Sequence, residues 1–155
     1  MNLVTLGFVL AMTAATPTPL QQRVEALASA IEPQVADVPV TRAKQLLRAD
    51  PMPVLLDVRS PAERAVSIIP GALTELGTQP PGTRVVVYCT VGLRSGIRAR
   101  QLRAQGFDAV NLRGGILSWL AQGGTLVDPH GRPTRAVHVY GRRWDAVPDD
   151  VNAVW

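Results

Sequence analysis

Two short runs in this chain lack the alternation that a water-facing strand requires. Val54-Leu55-Leu56-Asp57-Val58 and Arg84-Val85-Val86-Val87-Tyr88 are rich in branched residues, with no polar residue at every second place. A strand with one wet face alternates apolar and polar side chains, whereas one covered on both faces does not. The runs therefore predict buried strands of a parallel sheet, and Phe107–Leu112 reads as a third. Helical signals lie between them. Ser60-Pro61-Ala62-Glu63 matches a capping box with proline in the first turn. Ser95–Gln105 reads as a helix with apolar Ile97 and Leu102, stopped by Gly106. Gly114-Gly115 turns the chain into a helix carrying Ile116, Trp119 and Leu120, ended by Gly123-Gly124. Strands alternating with helices at this spacing define an α/β domain with a central, mostly parallel sheet flanked by helices.

The flanks read differently. Residues 1–15 form a small-residue and apolar run ending in Thr13-Ala14-Ala15, the pattern of an export signal, although no Lys or Arg precedes it. That reading places the protein in the periplasm or otherwise outside the cytoplasm. An ordinary buried helix in a cytoplasmic protein would look similar. Residues 16–37 form an amphipathic leader: Leu20, Val24, Leu27 and Ile31 recur at helical spacing, Thr18 caps the helix, Pro19 opens it and Pro33 ends it. Residues 38–124 are the domain proper, where Thr41 is expected to cap a helix over Lys44–Arg48. Residues 125–155 are a C-terminal extension. There, Val137–Tyr140 suggests an edge strand and Trp144 and Trp155 are expected to dock by simple packing rather than to cover a site. His130 sits in a turn sequence and is expected to be exposed.

Composition removes several classes of function. Sixteen basic residues against twelve acidic ones give a net charge of +4. The arginines are scattered, with no basic block and no interleaved aromatics, which argues against a nucleic-acid groove. Arg98, Arg100 and Arg103 read as a solvated helix face. One cysteine excludes an internal disulfide and, with two histidines, a cysteine–histidine zinc site. No apolar run reaches the length of a membrane-spanning helix.

Chemistry concentrates in Cys89-Thr90-Val91-Gly92-Leu93-Arg94-Ser95, which follows a buried strand and opens a helix. In parallel sheets, ligands bind beyond the carboxyl ends of the strands. A loop that turns there so that successive N–H groups point inward is an anion nest, and Gly92 permits the required backbone geometry. Ser95 is a candidate cap for the following helix. The nest, the helix terminus and Arg94 would together stabilise Cys89 as a thiolate.

A cysteine, four residues and an arginine resemble the active-site loop of the rhodanese-like domain family. The likeness extends to Leu55–Glu63, to Ile69-Pro70-Gly71-Ala72, and to Asn111–Gly115 with Trp119, in the family's order from about Val38 to Gly124. The resemblance implies sulfur transfer. Cys89 would take the outer sulfur of thiosulfate or a thiol persulfide, hold it as a persulfide, and pass it to cyanide, a thiol or a protein thiol. Thr90, Val91, Gly92, Leu93, Arg94 and Ser95 would bind substrate, with Arg94 positioning the donor anion. Asp57 and Arg59 would support the loop, and no metal or organic cofactor is implied. Cysteine-dependent phosphatases and arsenate reductases use a similar loop with five intervening residues, so four argue against them. A non-catalytic binding module of the same family would usually lack the cysteine. Thr90 stands where thiosulfate-using members often carry a basic residue, which favours thiol persulfides or a protein donor. Ile68 replaces a histidine usual in the family, a change expected to affect packing.

Overall fold

The computed structural model of the chain describes residues 16–31 and 34–155. Both Met1–Ala15 and Pro33 lie outside the described residues. The elements run α1 (Pro19–Ser29), β1 (Asp37–Val38), α2 (Val40–Leu46), β2 (Val54–Asp57), α3 (Pro61–Val66), β3 (Arg84–Tyr88), α4 (Leu93–Ala104), β4 (Asp108–Leu112) and α5 (Gly115–Ala121). Four short strands follow, β5 (Leu126–Val127), β6 (Pro133–Thr134), β7 (Ala136–His138) and β8 (Asn152–Val154), with a 3-10 turn at Arg142–Trp144.

The central sheet is parallel throughout, in the order β1-β4-β3-β2. Its side chains sort by the two-residue period of a strand. On β3, Val85 and Val87 face α4 beside Leu56, Ala99, Leu102 and Ala109. Val86 and Tyr88 face the opposite layer, built from α1, α2, α5 and the C-terminal segment. All four of these β3 side chains are fully buried, which explains the unbroken run in the sequence. No helix among the described residues is long and apolar enough to cross a membrane.

Thr18 and Ser60 both form complete capping boxes, as their sequences predict. Two other expected caps are absent. Helix α2 begins at Val40 after Pro39, because Val40, Ala43 and Leu46 form the buried stripe, and Thr41 caps nothing. Helix α4 begins at Leu93 after Gly92, which places Ser95 inside its first turn. Ile97 is exposed while Leu102 is buried. The leader helix is docked on the domain: Val24 is buried, and Gln21 donates a hydrogen bond to the Ala121 carbonyl of α5. His130 is exposed in its turn, as expected.

The first turn of α5 is fastened to the segment that follows β3. Ile116 N–H donates to the Cys89 carbonyl at 2.9 Å and Leu117 N–H to the Thr90 carbonyl at 3.3 Å. Helix N-termini leave such donors without intrahelical partners, and here the loop accepts them. Gly115 makes the close approach practicable. At φ +55° a β-carbon would sit 2.3 Å from the Cys89 carbonyl oxygen. Gly123, at φ +70°, has nothing within 4 Å of the same position. Gly123→Ala is therefore expected to cost about 1 kcal/mol, the price of left-handed backbone alone. Gly115→Ala should cost at least about 2 kcal/mol more, because backbone must also move. Thermal unfolding of both variants measures the difference.

Candidate active site

Strand β3 ends at Tyr88, and the chain turns at once into the loop Cys89–Gly92. The Cys89 side chain is 1% exposed, at the floor of a cavity of about 190 Å³. Its Sγ accepts hydrogen bonds from Gly92 N–H at 3.1 Å and from Ser95 Oγ at 3.4 Å. Gly92 adopts φ +111°, which side chains rarely tolerate, and this turns its N–H onto the sulfur. The Asn111 amide holds the Gly92 carbonyl from behind at 3.1 Å, and also donates to Asp37 at 2.8 Å. Ser95 thus contributes as a hydrogen-bond donor to sulfur, although not as the expected cap.

Arg94 is held mainly by protein. Its two terminal nitrogens donate to the two carboxylate oxygens of Glu63, each at 2.7 Å, and one also donates to Thr90 Oγ1 at 2.9 Å. Thr90 in turn donates to Glu63 at 2.8 Å, so its hydroxyl faces this network. Burial opposes the charge on Glu63. Hydrogen bonds from Arg94, the Ser60 N–H and Thr90 nevertheless hold its carboxyl at about 2, well below the usual range. Arg94 is shifted upward, first by its hydrogen bond to Glu63 and in smaller part by its nearness to the Cys89 sulfur. Val91 and Leu93 line the cavity as apolar wall.

Asp57 and Arg59 lie one strand away and do not reach the cavity lining. They form a fully buried ion pair at 2.8 Å, with the Arg59 guanidinium also donating to the Ser67 carbonyl. Tyr88 Oη donates to Asp57 at 2.6 Å and accepts from Ile69 N–H at 3.1 Å. Burial, followed by the Asp57 carboxylate, pushes the Tyr88 phenol far up, so it stays neutral. This network fixes the ends of β2 and β3.

The sequence marks Glu63 only as a helix cap and assigns Asn111 no task of its own. It also favours simple packing for the C-terminal extension. The structure shows packing and more. Val137 and Val139 are buried in the core, while Tyr140, Arg143 and Trp144 line the Cys89 cavity. The available signal is Tyr140-Gly141-Arg142-Arg143-Trp144, where two arginines do stand between aromatics, an exception to the scattered pattern of the other basic residues.

The fold and this loop define a class. A family model of the rhodanese-like domain matches residues 40–122, and the chain belongs to that family. Over 87 residues it is 41% identical to a sulfurtransferase of Allochromatium vinosum, an alignment spanning 50% of this chain and 81% of that protein. Over 72 residues it is 39% identical to a tRNA sulfurtransferase of Desulfurococcus amylolyticus, covering 44% of this chain and 15% of that longer protein. A rhodanese-like domain protein from Staphylococcus aureus superimposes with a TM-score of 0.53 at 26% identity, over 61% of this chain and 98% of that one.

The Glu63 carboxylate makes the pH dependence specific. Its value is depressed in the folded protein, so its stabilisation is complete above the ordinary value of 4.5 and is lost as pH falls towards 2. Glu63→Gln should lower stability at pH 7 by about 1–2 kcal/mol, a figure discounted because Arg94 is partly exposed. It should also flatten the loss expected of the parent protein between pH 4.5 and 2. Denaturant unfolding at a series of pH values measures both effects.

Proposed function

We propose that this protein is a sulfurtransferase that carries sulfane sulfur as a persulfide on Cys89. The observation that carries the reading is the placement of Sγ: the chain's one cysteine lies at a cavity floor, facing a backbone N–H and a hydroxyl. Both donors point at Sγ, where negative charge rests before loading and again after discharge. With a persulfide donor, the Cys89 thiolate attacks the outer sulfur of R–S–SH. A new sulfur–sulfur bond forms, the old one breaks, and R–S⁻ departs with the electron pair. With thiosulfate the same attack releases sulfite. An acceptor thiolate then attacks the outer sulfur of the Cys89 persulfide, restoring the Cys89 thiolate. Two half-reactions of this kind give ping-pong kinetics.

Arg94 has a more structural part than an anion clamp. With its fork engaged by Glu63, it sets the loop shape and adds a smaller electrostatic interaction with the nearby sulfur. The pair adds little net positive charge at the floor. This favours thiol persulfides over thiosulfate, in keeping with Thr90 at the neighbouring position. Asp57, Arg59 and Tyr88 act as positioning residues for the strand ends.

Intact mass before and after thiosulfate or glutathione persulfide tests the reading. The expected result is a gain of one sulfur atom, reversed by cyanide or dithiothreitol and absent in Cys89→Ala. No adduct from either donor on folded, reduced protein would overturn it and leave a binding module. We also read residues 1–15 as an export signal, on the strength of their apolar run and small-residue end. Expression with a periplasmic reporter should yield a mature chain starting near Thr16, and an uncleaved cytoplasmic chain would refute export.

A further inference from the structure

The cavity over Cys89 is built by two parts of the chain far apart in sequence. Its floor belongs to the loop inside the family match, and part of its wall belongs to Tyr140–Trp144, beyond the match at residue 122. We propose that Tyr140, Arg143 and Trp144 form a donor-selecting wall that favours carboxylate-bearing organic persulfides over inorganic thiosulfate. This rests on the reading of Cys89 as a persulfide carrier.

The wall is held in place. Val139 and Ala146, which bracket the segment, are 0% and 1% exposed. Val139 N–H donates to the Val154 carbonyl at 2.8 Å, where β7 pairs with β8. The 3-10 turn closes through Trp144 N–H to the Gly141 carbonyl at 2.9 Å. Tyr140 takes φ +68°, an uncommon conformation for a residue with a side chain, and its N–H donates to His138 Nδ1 at 3.0 Å. Such outliers persist where the surroundings impose them. Here the result is a Tyr140 ring with the Arg94 guanidinium 4.9 Å from its centroid.

Charge then decides what the cavity accepts. Arg94 at the floor is matched by Glu63. Arg143, exposed on the wall, is stacked on Trp144 at 4.7 Å, and no carboxylate pairs with it among the described residues. The unmatched cation therefore stands on the wall and not beside the sulfur. Thiosulfate carries its sulfonate charge directly on the atom bonded to the transferred sulfur, where the Arg94 cation is already matched by Glu63 and leaves only the backbone dipoles of the loop to hold it. An organic persulfide separates the two ends. Its outer sulfur meets Cys89, its carbon stem lies on Val91, Leu93 and the Trp144 ring, and its carboxylate reaches Arg143.

The experiment uses the full chain and follows the rate of Cys89 persulfide formation by quenched intact mass. The donors are glutathione persulfide, cysteamine persulfide, which lacks a carboxylate, and thiosulfate. Arg143→Gln should slow loading from glutathione persulfide by roughly tenfold, the size of one charge-assisted contact, through a raised KM. Loading from cysteamine persulfide should not change, and neither should the donor ratio in Arg142→Gln, whose side chain stacks on Trp155 away from the cavity. Tyr140→Gly should narrow the preference for glutathione persulfide over thiosulfate. An unchanged donor ratio in Arg143→Gln would overturn the proposal while leaving Cys89 as the carrier. Failure of the parent chain to load from any donor would overturn the carrier reading itself.

Discussion

The Glu63 carboxylate has been taken wholly out of water, which is unfavourable for any charge left unmatched. Three separate parts of the chain supply the match: the Ser60 N–H at the start of α3, the Thr90 hydroxyl in the loop, and the Arg94 fork at the start of α4. Each donor is satisfied by the same two oxygens, so the β2–α3 and β3–α4 connections cannot shift independently. Loss of one partner would strand the others, and buried pairs are costly to break for that reason. The shape of the loop around Cys89 is thus fixed from outside the loop.

A second buried pair does similar work one strand further along. Asp57 and Arg59 close the end of β2, and Tyr88, on the parallel neighbour, ties into them through its hydroxyl. Both ionic clusters lie at the carboxyl edge of the sheet, where parallel strands leave a crevice. The apolar faces of β3 provide cohesion below, and the charged clusters provide shape above. Cys89 stands at the boundary between the two.

The strand runs, the order of the main elements and the Cys89–Gly92 turn between strand and helix were legible in the sequence because each depends on neighbours along the chain. The Ser60 capping box is local in the same way and was found. The second task of Glu63 was not, since its partner Arg94 lies 31 residues away and only the folded sheet brings them together. Ser95 suggested a cap, but Gly92 took that place through its left-handed backbone, which released the Ser95 hydroxyl to the sulfur. Spacing alone could have separated Ile97 from Leu102: they stand five positions apart, about 140° round the helix, and so cannot share one buried face. The Tyr140–Trp144 wall depends on how the tail returns after β7, and short-range pattern carries no record of that path.

One consequence follows from the bonds that α5 makes to the loop. A trans peptide unit is a rigid plate with opposite charges on its two edges. Ile116 and Leu117 hold the oxygen edges of the plates after Cys89 and Thr90, so the hydrogen edges must face the other way. Those plates are poled during folding and cannot flip when a ligand arrives. The loop therefore behaves as a permanent electret: its attraction for negative charge exists before any anion enters, and none of that anion's binding energy goes into creating it.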